Sequence, residues 1–139
     1  MRVIDGVVDM AQKQRILIIE DSREIVAALK AFFDRKYQIL TAYNGIDGLQ
    51  VFEQYENTID LVITDLVMPE LSGVGVISIL KKKYPETPVI AITGWSVDLG
   101  AARPKINADQ VLQKPFEICE LDKLVSKLLT ERHAHVTQR

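Results

Sequence analysis

Ile16-Leu17-Ile18-Ile19-Glu20-Asp21-Ser22 is the stretch that decides the architecture: four large aliphatic residues in a row, then two carboxylates, then a hydroxyl residue. A run this short and uniformly apolar reads as a strand buried on both faces. Ser22 then suits a helix N-cap, and Ile25, Leu29 and Phe32 follow at spacings of four and three, one apolar stripe. The chain passes from strand to helix directly after its two acids. Working outward, the same alternation recurs. Further strand-like runs lie at Gln38 to Ala42, Leu61 to Thr64, Val89 to Thr93 and Gln110 to Leu112. Helical stripes lie between and after them at Ile46, Leu49 and Phe52, at Val76, Ile77 and Leu80, and at Ile118, Leu121, Val125 and Leu128. Between Thr93 and Val111 the helical signal is poor because Gly100 and Pro104 sit where a fourth helix would run, so a short or irregular helix is expected there.

Short buried runs alternating with helices, joined by right-handed crossovers, predict an α/β fold: a flavodoxin-like, doubly wound five-stranded parallel sheet of order 2-1-3-4-5, with helices on both faces. The repeat spans residues 15–130. Residues 1–14 form an extension in which Val3, Ile4, Val7, Val8 and Ala11 fall at helical spacing, interrupted by Gly6, and it is read as helical or disordered. Residues 131–139 read as a polar tail, and the paired His133 and His135 in it carry no metal-site signal of their own.

Composition narrows the function. The 139 residues suit one domain, with no room for a second effector domain. Seventeen Lys and Arg stand against nineteen Asp and Glu, a net charge of −2, which argues against direct nucleic-acid binding. The Lys81-Lys82-Lys83 run falls at a helix end, where it complements the helix dipole and stays solvated. The single cysteine, Cys119, excludes an internal disulfide and a cysteine-built zinc site, and reads as a small packing residue. The apolar runs are far shorter than the ~20 residues of a membrane span, and Asp5 and Asp9 interrupt any secretory signal. No membrane insertion is expected, and the expected location is the cytoplasm.

In a doubly wound sheet, ligands bind outside the carboxyl ends of the strands. Glu20, Asp21, Asp65, Thr93 and Lys114 all fall there. Three carboxylates gathered in one crevice disfavour joint ionisation unless a cation neutralises them, and oxygen-only ligands at an open crevice suit Mg²⁺ better than zinc. Lys114, the Thr93 hydroxyl and the Gly94 backbone N–H make an anion pocket for phosphoryl oxygens. Asp65 lies between the two and can act as a carboxylate nucleophile toward phosphorus.

Four segments carry a family resemblance: Ile16 through Ser22, Asp65-Leu66-Val67-Met68-Pro69-Glu70-Leu71-Ser72-Gly73, Ala91-Ile92-Thr93-Gly94-Trp95 and Lys114-Pro115-Phe116. The chain resembles the receiver domains of two-component response regulators, of the single-domain kind found in chemotaxis. That resemblance implies Asp65 as phosphoacceptor, with Asp21, Asp65 and the Val67 carbonyl as direct Mg²⁺ ligands and Glu20 a ligand through water. It implies Thr93 and Lys114 as phosphoryl-binding groups and a cis Lys114-Pro115 peptide. A sensor histidine kinase or histidine phosphotransfer protein is the implied donor, and an unidentified output protein, homodimerisation or onward phosphotransfer the implied readout. The family usually places an aromatic switch residue three positions before the lysine, paired with Thr93. Here that position is Val111. Ser72 and Gly73 read as the N-cap and start of a helix, Met68 and Pro69 as turn-shaping, and Trp95 as a reporter near the site mouth.

Three rivals were weighed. A Mg²⁺-dependent phosphohydrolase with an aspartyl nucleophile normally carries a second acid two residues on, where this chain has Val67. A flavin-type cofactor binder would cradle phosphate after the first strand, where Glu20 and Asp21 repel it. A binding module that keeps the fold yet acts unphosphorylated fits the absent aromatic.

Overall fold

The computed structural model describes residues 3–4, 7–8, 13–94 and 106–137, with side chains over 13–94 and 106–132. Its main sheet is parallel and five-stranded: β1 (Arg15–Ile19), β2 (Gln38–Ala42), β3 (Leu61–Asp65), β4 (Val89–Thr93) and β5 (Gln110–Gln113), in spatial order β2-β1-β3-β4-β5. That is the order 2-1-3-4-5 expected from the alternation. Among the described residues four helices accompany it: α1 (Arg23–Phe33), α2 (Gly45–Gln54), α3 (Gly73–Lys83) and α4 (Ile118–Thr137). The expected irregular helix around Gly100 and Pro104, and Trp95 itself, lie outside the described residues.

The two-residue pleat sorts the core into two layers. Ile16, Ile18, Leu61, Ile63, Ile90 and Ile92 pack with Leu29 and Phe33 of α1 and Leu121 and Val125 of α4. Leu17, Ile19, Val62, Val89 and Ala91 pack on the other face with Phe52 of α2 and Val76, Ile77 and Leu80 of α3. β1, β3 and β4 are therefore apolar at nearly every position because each neighbouring residue serves the opposite layer. Ser22, Asn44 and Ser72 cap α1, α2 and α3, their side chains accepting from the backbone N–H groups of Ile25, Asp47 and Gly75.

Two glycines permit close approaches. A Cβ at Gly48 would come within 2.5 Å of Ile19 Cδ1, and one at Gly73 would collide with the Asp65 carbonyl oxygen. The start of α3 thus leans directly on the backbone of Asp65.

Several expectations are corrected. The buried stripe of α1 is Val26, Leu29 and Phe33, while Phe32 is 41% exposed, so the sequence stripe was displaced by one position. On α2, Ile46 faces outward because Gly45 and Gly48 take the close-packed face. Val3–Ile4 and Val7–Val8 pair as a small antiparallel ladder where helical spacing had pointed to a helix. Four β-branched residues flanking an Asp-Gly pair favour a hairpin over helix, which explains the difference. The expected polar tail continues α4 as far as Thr137. Cys119 is exposed, so it packs nothing. No described helix is long and apolar enough to cross a membrane.

Candidate functional site

The same pleat that builds the core assembles the site. Ile16, Ile18, Leu61 and Ile63 face the layer of α1 and α4, and the next residues in register are Glu20 and Asp65. Leu112 packs against that layer too, and Lys114 stands two residues beyond it. Three side chains from separate segments therefore meet because each continues one face of its own strand past the carboxyl end. Backbone hydrogen bonds extend the sheet to hold them: Glu20 N–H donates to Ala42 O at 3.0 Å, Leu66 N–H to Ile92 O at 2.8 Å and Lys114 N–H to Thr93 O at 2.7 Å. The Lys114-Pro115 peptide is cis, as the resemblance implied.

Glu20 and Asp65 are buried, 3% and 5% exposed, and Asp21 is exposed beside them. One carboxylate oxygen from each lies within 4.8 Å of the others. Lys114 Nζ donates to Glu20 Oε1 at 2.9 Å and to Asp65 Oδ2 at 3.2 Å. The second oxygens are engaged as well: Ser22 N–H donates to Glu20 Oε2 at 2.9 Å and Val67 N–H to Asp65 Oδ1 at 3.1 Å. Sequence reading took Ser22 only as a helix cap, whereas its backbone N–H also orients Glu20. Thr93 is fully buried, its hydroxyl turned to the Gly94 carbonyl at 3.3 Å. The Val67 side chain stands 59% exposed at the mouth. Val111 is half-buried against the α2/α3 layer and offers no ring.

Burial, first, and a hydrogen bond with Asp21 push the Glu20 carboxyl up to about 7, against the lowering effects of Ser22 N–H and Lys114. Partial burial works to lower Lys114, but the hydrogen bond to Glu20 and the charges of Asp65 and Glu20 outweigh it and hold the ammonium above its ordinary range. One ammonium thus faces three carboxyl groups. Beside it runs an apolar groove of about 550 Å³, lined by Ile25, Ala28, Pro115, Phe116 and Ile118. The sequence gave no warning of this groove, since α1 and the turn after β5 are far apart in the chain. At the opposite edge of the sheet, Lys81 is not solvated as expected: its side chain is 10% exposed and its ammonium donates to Asp109 at 2.6 Å and to Thr87 O at 2.9 Å.

Comparison with known proteins places this arrangement. The family model described as the response regulator receiver domain matches residues 16–126. The sensor kinase CckA of Brucella abortus is 26% identical over 131 residues, covering 93% of this chain and 14% of that protein. The transcriptional regulatory protein DltR of Streptococcus agalactiae is 33% identical over 109 residues, 77% of this chain and 48% of that protein. The chain thus spans about half the length of these curated relatives, or less. Among solved structures, a receiver domain protein from Clostridium thermocellum superposes with a TM-score of 0.80 at 32% identity, covering 87% of this chain and 98% of the other. The receiver domain of a LuxO-type repressor from Vibrio parahaemolyticus gives a TM-score of 0.80 at 28% identity over 91% of this chain and 98% of the other. With the signature residues gathered at one sheet edge and the match running through most of its length, the chain belongs to the response regulator receiver domain family of two-component signalling.

Proposed function

We propose that Asp65 accepts a phosphoryl group from a sensor histidine kinase or a histidine phosphotransfer protein, and that the phosphorylated chain signals through altered affinity for an output protein. The observation that carries this reading is the meeting of Asp65, 5% exposed at the end of β3, with an ammonium at 3.2 Å and two further carboxyl groups. In the transfer, the donor P–N bond breaks, its electron pair stays on the leaving nitrogen, and a new bond forms between phosphorus and an Asp65 oxygen. Lys114 and the Gly94 N–H are placed to hold phosphoryl oxygens, and Thr93 joins them once its hydroxyl leaves the Gly94 carbonyl.

The donor set fits Mg²⁺: oxygen atoms only, no His or Cys, more negative charge than Lys114 can balance, and an exposed Asp21 that leaves room for water. Asp21, Asp65 and the Val67 carbonyl would hold the ion directly and Glu20 through water. Bound there, Mg²⁺ supplies charge neutralisation for the carboxylates and the incoming phosphoryl oxygens. The net charge of −2 supports a protein partner rather than nucleic acid.

Val111 supports one refinement: a readout through a ring at this position is unavailable, so the output passes by another route or is phosphorylation-independent. Intact-mass spectrometry after incubation with phosphoramidate and Mg²⁺ tests the chemistry. One added phosphoryl group is expected on the native chain and none on Asp65→Asn. An adduct on both, or on neither, removes Asp65 from the role.

A further inference from the structure

Resting on the Mg²⁺-assisted reading above, we infer that Lys114 is the built-in competitor of the metal: its ammonium closes the carboxylate cluster when no divalent cation is bound, and divalent binding releases it toward the phosphoryl pocket. Lys114 Nζ bridges Glu20 Oε1 and Asp65 Oδ2 at 2.9 and 3.2 Å, so it occupies one oxygen of each buried carboxyl group. The remaining oxygens of these two residues accept from Ser22 N–H and Val67 N–H. Every oxygen of both therefore has a donor in this state. A divalent ion drawing on Asp65 and, through water, on Glu20 meets a fixed positive charge already seated between them.

Burial makes the conflict strong. The side chains of Glu20 and Asp65 are 4% and 6% exposed and that of Lys114 25%, so solvent screens the charges weakly. The shorter of the two lysine contacts is to Glu20, which draws Lys114 toward the first strand rather than toward Thr93 and Gly94. Lys114 cannot bridge Glu20 and bind a phosphoryl oxygen in the anion pocket at once, since its one ammonium must leave the first partner to reach the second. Occupancy by a divalent cation thus arms the lysine, and the order of events becomes cation first, phosphoryl second. Glu20 acquires a role of its own as the latch that holds the lysine back.

The test is isothermal titration of the full chain with MgCl₂ at pH 8. Lys114→Met keeps the length of the side chain and removes its charge, and it is expected to bind Mg²⁺ roughly tenfold more tightly than the native chain. Lys114→Arg retains the charge and is expected to bind no more tightly than native. Independently of any variant, acetic anhydride footprinting of the native chain is expected to show Lys114 acylated faster at saturating Mg²⁺ than in EDTA, as the ammonium loses its two carboxylate partners. Equal or weaker Mg²⁺ binding by Lys114→Met, or unchanged Lys114 footprinting, overturns the competition while leaving the metal site standing. Binding by neither the native chain nor Lys114→Met removes the Mg²⁺-assisted reading and the competition with it.

Discussion

At the scale of single residues, the loop that carries Val67 to the start of α3 contains a strained position. Glu70 has φ 64°, in the left-handed region that an L residue with a Cβ occupies at a cost of about 1–2 kcal/mol. Asn57 and Asn107 share the left-handed region, at φ 68° and 42°, but asparagine tolerates it through its short polar side chain. Glu70→Gly should therefore raise stability by about 0.5–1 kcal/mol in urea denaturation, with the greater freedom of glycine in the unfolded chain offsetting part of the relief. A fall in stability would mean that the Glu70 side chain makes a compensating contact. The opposite substitution applies at Gly48. Gly48→Ala drives a methyl group toward Ile19 in the core of β1, and a loss of about 1–3 kcal/mol is expected.

At the scale of elements, the legible and the illegible parts of the sequence separate by cause. Ile16 to Ile19 and Val89 to Thr93 were readable as strands because both faces are covered, leaving no polar residue to blur the run. Ser22 and Ser72 were readable as caps because the cap geometry is local. The exposed side of α1 was not readable. Val26 and Phe33 stand one position from the residues first assigned to the stripe, and a helix with apolar residues all round offers no phase to choose. That same ambiguity reflects a real surface, since Ile25 and Ala28 line the groove beside Lys114 and Phe32 stays 41% exposed. A protein donor must reach Asp65 past this groove, whereas phosphoramidate need not touch it. Ala28→Asp places a charge on its apolar wall and is expected to slow phosphotransfer from a protein phosphodonor at least about tenfold, with labelling by phosphoramidate unchanged. Equal slowing with both donors would assign the effect to the site rather than to docking.

At the scale of the whole molecule, catalytic potential and stability draw on opposite ends of the sheet. The amino edge is tied by Asp109, which accepts from Lys81 Nζ at 2.6 Å and from Val89 N–H at 2.7 Å, a pairing invisible in sequence because 28 residues separate the two side chains. The carboxyl edge instead concentrates charges that the fold itself disfavours, and their site was legible because resemblance and residue chemistry both pointed to Glu20, Asp21, Asp65, Thr93 and Lys114. The cost appears as a pH dependence. Glu20 titrates at about 7 in the folded chain against 4.5 as an ordinary glutamate, so between these values the folded state holds a proton that the unfolded state has released. The stabilisation this provides is complete below pH 4.5 and is lost as pH rises to 7, after which it changes no further. Lys114, raised above 10.5, contributes no slope in that window. In EDTA, the urea midpoint should therefore decline from pH 5 to pH 7.5 by more in the native chain than in Glu20→Gln, whose amide does not titrate. With saturating Mg²⁺ the ionised cluster gains its counter-charge, so the native midpoint at pH 7.5 should recover while the midpoint at pH 5 moves little. A native chain whose pH slope matches that of Glu20→Gln, with and without Mg²⁺, would show that Glu20 does not carry the charge conflict on which the site depends.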